Sequence, residues 1–416
     1  MNQIETTPYR SSFLAQQAEE AWKYFSKTGY PTSRDENWRF SNPNPWLLKS
    51  APFAAEGEEF SMEEFSNYII PDTLPIFIVN NTISISNQMP VGIQVMDMIQ
   101  AVNENFANGF VGSVIDSHFS PFSAENTALF QNGVVIHVSE NMVVEKPLQL
   151  IHLIRGNTNS RIYPRVYVNI ESGSEIQILQ TEIGDDEHHH FVNSVIETVV
   201  HENAKLKWTL MQQRNSHTGQ ISSFNIKLGQ NAAAIYNTYE FGGGFIRRDI
   251  HAYLHSKGGD FEINSLFVPT AKQHMDIFSI VHHESPHSTS RQLVKGVLGG
   301  SSSGVFRGLA HVYPDAKKSD AQQTNHNLLL SSKSRMNSIP QLQIYEDDVK
   351  CSHGSTTGQI DEEAIFYLRS RGIGRMEAME LMVKGFANEV VDKVVHEKFK
   401  IQIQESLIRK MEEMIQ

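Results

Sequence analysis

The chain has 416 residues, 40% apolar and 20% charged, and a formal net charge of −12. This is a folded protein with room for two or three domains or one elongated body, and its acidity argues against sequence-independent binding to nucleic acid, which needs a basic surface. A single cysteine excludes an internal disulfide framework and fits a reducing compartment.

The N-terminus, MNQIETTPYRSSFLAQQAEEAW, has no basic start followed by an apolar run, so no signal peptide is expected. No run approaches the roughly 18 apolar residues of a membrane helix. The expectation is a cytoplasmic protein with neither membrane nor nucleic acid as partner. Residues 1–128 read as mixed and mostly helical. SSFLAQQAEEAWKYFSKTGYP carries a helical stripe through Phe13, Leu14, Ala18, Ala21, Trp22 and Phe25, closed by Gly29 and Pro31. DENWRFSNPNPW is too rich in proline for a regular element. PIFIVNNTISISN reads as a hairpin around Asn80 and Asn81, and VMDMIQAVNENFANG and SPFSAENTALFQNG read as helices.

From 129 to 358 helical periodicity gives way to short strand-like runs: VVIHV, RVYVNI, EIQILQ, LKWTLM, AIYNTYEF, FEINSLFV. The turns between them, such as IESGSEI, HENAKL, LGQNAA and SKGGDF, recur about 28–32 residues apart, in the range of a solenoid or propeller. One such unit cannot bury its apolar face alone, so units must stack. The pattern predicts a mainly β protein with a parallel β-helix core; a β-sandwich of hairpins is the competing reading. From 359 to 416 the chain reads as a C-terminal helical domain at the end of the solenoid. Asp361 is a good N-cap and Gly372 a good stop. Met376, Met379, Leu381, Met382, Phe386, Val390 and Val391 form an apolar stripe that serves either as core or as an adaptable docking face.

No GxxxxGK[ST] is present, and no GxSxG elbow joining a strand to a helix is expected. FGGGF, residues 241–245, is not followed by a helix pattern, so Gly242–Gly244 read as a solenoid turn rather than a phosphate loop. Three consecutive histidines, His188–His190, alternate faces on a strand and cannot all hold one ion; a solvated loop is expected. VHHESPHS, with His282, His283, Glu284 and His287, lacks HExxH spacing and is a weak metal candidate. His255, His274, His311 and His326 read as core or surface filler. In DDVKCSHGSTTG, Cys351 and His353 would lie on one face of an extended strand, about 6–7 Å apart. Thiolate and imidazole suit iron–sulfur clusters, zinc or copper. Two donors are too few for a stable cluster, so either the pair is structural or another subunit completes the set. A nucleophile–base pair is the other functional reading of the same residues.

The stretch NLLLSSKSRMNSIPQLQIYEDDVKCSHGSTTGQIDEEAIFYLRSRGI, residues 327–373, resembles the C-terminal signature of the SufB/SufD family, scaffold subunits of the SUF iron–sulfur cluster assembly system. ENWRF, Glu36 to Phe40, looks like the N-terminal signature of the SufD branch, and the length and lone cysteine favour that branch. The resemblance implies a right-handed parallel β-helix core with a mostly helical N-terminal region and a C-terminal helical docking domain. It implies a non-catalytic scaffold that pairs with a SufB-like paralogue through the end of the β-helix. It also implies docking of the SufC ABC-type ATPase through residues 361–416. A transient iron–sulfur cluster or iron would be held at the shared interface, where His353 matches the family histidine and Cys351 the cysteine beside it. Whether the isolated chain forms a homodimer is left open. The alternative class is a β-helix enzyme acting on polysaccharide, for which Asp249, Asp260, Glu262 and Asp276 are available acids.

Overall fold

The structure, a computed structural model, describes residues 12–50, 60–86, 89–104, 106, 112–116, 118–156, 158–184 and 188–415. Alternating apolar residues in runs bounded by turn formers produce twenty strands, numbered here in chain order, in two sheets. The first sheet runs β2 (Thr82–Ile85), β1 (Leu74–Val79), β5 (Leu148–Ile154), β8 (Glu175–Gly184), β10 (Lys205–Gln213), β12 (Ala233–Glu240), β14 (Asp260–Phe267), β16 (Thr289–Leu298), β18 (Asp320–Leu329), β20 (Lys350–Gln359). The second runs β19 (Arg335–Ile344), β17 (Ser303–Val312), β15 (His274–His283), β13 (Phe245–Leu254), β11 (Gly219–Leu228), β9 (His190–Val200), β7 (Arg165–Ile170), β4 (Val134–Val138), β3 (Ile93–Asp97), with β6 (Ser160–Ile162) also on β9.

Among the described residues antiparallel pairing is confined to β1–β2 and β3–β4; the ladders that follow are parallel, and successive long strands alternate between sheets. That is a parallel β-helix and excludes the sandwich of hairpins. Stacked partners lie 27 residues apart at Thr238 and Ser265 and 31 apart at Ser288 and Ser319, close to the spacing read from the turns. One corner of the successive coils turns on a left-handed residue: Asn141, Gly173, Asn203, Asn231, Gly258, His287 and Lys318 all have φ between 51° and 77°. The N–H of each donates to a carbonyl of the next turn, as Asn203 to Gln230 and Asn231 to Lys257, so the turns form a ladder of their own. Asn and Gly tolerate this backbone at little cost, which is why they punctuate the repeat.

Gly242–Gly244 do form a solenoid turn, between β12 and β13. A Cβ on Gly242 would lie 2.1 Å from the Arg214 carbonyl oxygen and 2.6 Å from its nitrogen. Backbone cannot yield as a side chain does, so Gly242→Ala is expected to cost about 2–3 kcal/mol in urea denaturation. A loss under about 0.5 kcal/mol would contradict the packing of this turn.

The N-terminal region carries α1 (Ser12–Thr28), α2 (Asn44–Leu47), α3 (Met98–Asn103) and α4 (Pro121–Leu129). Gly29, at φ 67°, ends α1 as expected, and Asn80, at φ 52°, turns the β1–β2 hairpin. The helix expected over VMDMIQAVNENFANG is shorter than read: Val95–Asp97 belong to β3, and Asp97 then caps α3 through the Gln100 N–H. Pairing with β4 overrides helical periodicity there. Residues 105 and 107–109 of that stretch lie outside the described residues. The region read as mostly helical therefore supplies three strands, and β1 continues the first sheet alongside β5.

Three helices follow the last strand: α5 (Glu362–Ser370), α6 (Arg375–Val391) and α7 (Glu397–Ile415). Asp361 caps α5 by accepting from the Glu363 and Ala364 N–H groups. The helices do not simply extend the end of the solenoid: α6 and α7 fold back along the outer face of the first sheet. Val383, Ala387, Val390, Phe399, Ile403, Leu407 and Met411 pack there against Met211, Tyr239, Leu266 and Val297. Tyr239 donates to the Val390 carbonyl at 2.7 Å. The outward side chains of these strands are themselves apolar and need a cover. The methionine-rich stripe is thus divided: Met379, Val390 and Val391 are buried, while Met376 and Leu381 remain exposed.

Candidate functional site

β19 and β20 are the last strands of their sheets, and each has a partner on one side only. Lys350 and Ile360 donate their N–H groups inward, to Ser319 and Leu329. Strand parity then turns the N–H groups of Cys351, His353, Ser355 and Thr357 toward the open edge. On β19 the inward donors are Arg335 and Tyr345, to Ser302 and Val312, so Pro340 occupies an outward position where its missing N–H costs the sheet nothing. Proline guards the edge of β19; β20 has none and is free to pair.

Cys351 and His353 stand in register with Ala321 and Gln323 of β18. Those two are buried with Asn325 and Asn327, so this column of side chains faces the lumen of the solenoid. One coil further on, nothing among the described residues covers it: Cys351 is half-buried and His353 exposed. Behind them the lumen is polar. Ser338 and Ser355 hydroxyls meet at 2.7 Å, and Ser338 donates to Asn325 at 2.7 Å. Burial pushes the Cys351 thiol up, the charge of Asp320 adds to this, and a backbone hydrogen bond from Ala321 offsets it in part. The thiol is therefore protonated at neutral pH and becomes a thiolate ligand only when something displaces the proton. No group of three His, Cys, Asp or Glu side chains with metal-binding geometry occurs among the described residues. On this chain Cys351 and His353 offer at most half of a four-ligand set.

The other candidates resolve differently. His190 does not lie in a solvated loop: it opens β9 and is buried. His189 is in contact with His217 and Trp46. Asp185, Asp186 and Glu187 lie outside the described residues. In VHHESPHS, His283 is fully buried between the Ser288 and Ser290 hydroxyls at 2.7 and 2.8 Å, and burial pushes its imidazole down to about 4. His282 stacks on Tyr253 at 4.6 Å, and His287 is one of the left-handed turn residues. Of the acids available for glycan chemistry, Asp249 and Asp276 are both held at 2.7 Å by Arg247. Glu262 pairs with Lys393.

Arg247 explains ENWRF. It donates to the Asn37 carbonyl at 2.8 Å and lies 3.9 Å from the Trp38 ring, while Arg307 donates to the Asn37 side chain at 2.6 Å. The motif straps the N-terminal region onto the outside of the second sheet. Sequence reasoning could not pair these residues, because they lie 210 and 270 positions apart.

A parallel β-helix with an open final coil and helices folded along one side is the class of fold. The family model described as "SUF system FeS cluster assembly, SufBD core domain" matches residues 152–386, and that of the "SufBD protein N-terminal region" matches residues 4–150. The chain belongs to the SufBD family of the SUF iron–sulfur cluster assembly system. It is 27% identical over 391 residues to iron-sulfur cluster assembly protein SufD of Escherichia coli, covering 93% of this chain and 90% of that one. It is 27% identical over 402 residues to an iron-sulfur cluster assembly SufBD family protein of Synechocystis, covering 92% and 88%. It is 29% identical over 412 residues to Protein ABCI7, chloroplastic, of Arabidopsis thaliana, covering 94% and 84%. No helix of the described residues is long and apolar enough to cross a membrane.

Proposed function

We propose that this chain is the SufD-type, non-catalytic scaffold of a cytoplasmic SufBCD complex. Its open final coil pairs with a SufB-like paralogue, and the joint completes a site where an iron–sulfur cluster is assembled as cargo. The observation that carries this reading is the unpaired edge of β20, which presents Cys351 and His353 from the end of an uncovered lumen. An incomplete ligand set suits the task, since a cluster held by four ligands of one chain would not leave. His353 is the ligand or iron-entry residue; Cys351 assists once its proton is displaced. The SufC ATPase docks on the C-terminal helices, where Phe366, Tyr367, Met376 and Leu381 are exposed apolar side chains. The glycan reading loses its support, because two of its acids are locked in ion pairs with Arg247.

The test is anaerobic co-expression with SufB-like and SufC-like partners, wild type beside His353→Ala, with iron and acid-labile sulfide assayed on the purified complex. A mutant complex that assembles but carries several-fold less iron and sulfide is the expected result. An equal cluster load would assign the chemistry to the partner alone. Failure of any complex to form would remove the scaffold reading itself.

A further inference from the structure

A polar cleft of about 510 Å³ opens on the outer edge of the second sheet, lined by Ser301, Ser302, Ser303, Ser332, Lys333 and Arg335. Two adjacent solenoid turns build it, and β17 and β19 set Ser303 beside Arg335 in register. The Ser302 hydroxyl, on a residue 1% exposed, has no hydrogen-bond partner. Neither Lys333 nor Arg335 pairs with a carboxylate among the described residues. In a chain of net charge −12, that leaves a local positive site.

One residue of this cleft is wired into the buried layer beneath. Ser303 Oγ lies 2.7 Å from His274 Nδ1, and His274 Nε2 lies 2.9 Å from Ser41 Oγ. Ser41 donates to Asp276, which also takes an Arg247 N–H at 2.7 Å. The protons of this chain are determined by the acceptor at its end. The carboxylate can only accept, so the Ser41 hydrogen is committed to Asp276. Ser41 Oγ must then accept from His274, so Nε2 carries the ring proton. Burial keeps the imidazole neutral against the pull of Asp276. Nδ1 is therefore bare, and it takes the Ser303 hydroxyl hydrogen. The lone pairs of Ser303 Oγ are left facing a half-exposed cleft with two cations at its wall. Nucleophile, base and an acid-anchored orienter are the parts of an activated serine.

We infer that Ser303 is an activated nucleophile: a modification site for acyl or phosphoryl electrophiles bearing negative charge, with His274 as base and Ser41 and Asp276 as positioning residues. With an alkyl fluorophosphonate whose alkyl chain ends in a carboxylate, Ser303 Oγ bonds to phosphorus, the P–F bond breaks, fluoride leaves, and the hydroxyl proton passes to His274 Nδ1. This does not depend on the cluster-assembly reading, since no residue of the relay lies on β20.

The experiment treats the full-length chain with that fluorophosphonate and maps the adduct by peptide mass spectrometry. Ser303 is expected to label at least tenfold faster than Ser301 and Ser332, exposed serines of the same cleft. His274→Gln, which keeps a hydrogen-bonding side chain but removes the base, is expected to slow labelling about a hundredfold or more. Ser41→Ala is expected to slow it and, by ¹⁵N NMR, to release His274 from the Nε2–H tautomer. A purely structural hydrogen bond would change melting temperature and the tautomer without slowing the labelling of Ser303. Should His274→Gln fail to fold, Ser303→Ala removes only a half-exposed hydroxyl and must abolish the fast phase. Equal labelling of the three serines, or a fast phase that survives Ser303→Ala, would overturn the inference.

Discussion

Arg248→Met is expected to remove a large share of the stability of this chain. Arg248 projects from β13 into the lumen, where it donates to Glu240 at 2.9 Å and to Glu182 at 3.1 Å, with all three side chains fully buried. Glu182 also accepts from Gln220 at 2.7 Å and from Gln180 at 3.0 Å. Arg214 caps the cluster, donating to the His152 carbonyl at 3.1 Å and to Gln220 at 3.0 Å. Methionine keeps an unbranched apolar stem and loses the charge, so two carboxylates remain in a closed lumen with their main counter-ion gone. Breaking a buried pair in this way costs about 3–5 kcal/mol, against a total stability of roughly 5–15 kcal/mol. The triple variant Arg248→Met, Glu182→Gln, Glu240→Gln is expected to recover much of the loss, because it removes the uncompensated charge. Urea denaturation of single and triple variants reads both. If the single variant melted within a few degrees of wild type, the cluster would contribute little.

The same cluster gives the protein an acid-sensitive range. Burial pushes the Glu182 carboxyl up, but the charges of Arg248 and Arg214 and the hydrogen bond from Arg248 bring it down to about 2. Its ordinary value is about 4.3, so its contribution is fully present above that pH and is lost as pH falls toward 2. Glu240 runs the other way. Burial outweighs Arg248 and raises its carboxyl, so protonation of Glu240 relieves part of its cost as pH falls. In the triple variant both contributions vanish, and the acid limb of its stability curve is expected to flatten.

Ser355→Pro is expected to weaken binding of the proposed SufB-like partner at least tenfold while leaving the chain folded. The Ser355 N–H faces the open edge of β20, so proline removes no backbone bond to β18. The chain loses the hydroxyl contacts of Ser355 with Ser338 at 2.7 Å and with Asn325 at 3.4 Å, at about 1 kcal/mol together. A partner strand adding to that edge would meet a missing donor and a ring, and binding is expected to weaken by at least tenfold. Thr356→Pro, one residue on, removes a donor committed to β18 and is expected to destabilise the isolated chain by roughly 1–3 kcal/mol. Co-purification with the SufB-like partner, beside thermal melts of each chain alone, separates the two. A Ser355→Pro chain that still co-purified fully would move the interface away from the edge of β20.

The features legible in the sequence are those whose causes are local or periodic. Turn residues that accept a left-handed backbone recur once per coil, so Asn203, Asn231 and Gly258 announce the repeat before any strand is paired. Asp361 and Gly29 mark helix ends through contacts with their own neighbours. Cys351 and His353, two apart on a strand, share a face by pleat alone. Periodicity misled where a distant partner intervened, as at Val95–Asp97, which pair with β4 instead of continuing a helix. His274 read as filler for the same reason, since its significance lies in Ser41 and Asp276. Which histidine is wired to a serine, which arginines neutralise the lumen acids, and what ENWRF grips are relations between residues tens to hundreds of positions apart. Alternation and turn chemistry by themselves determined that this chain coils into stacked turns and where each coil bends. Only the tertiary structure decided which edge stays open, which charges share the lumen and which surface the last helices cover, because those depend on through-space distances that the repeat creates only after it has closed.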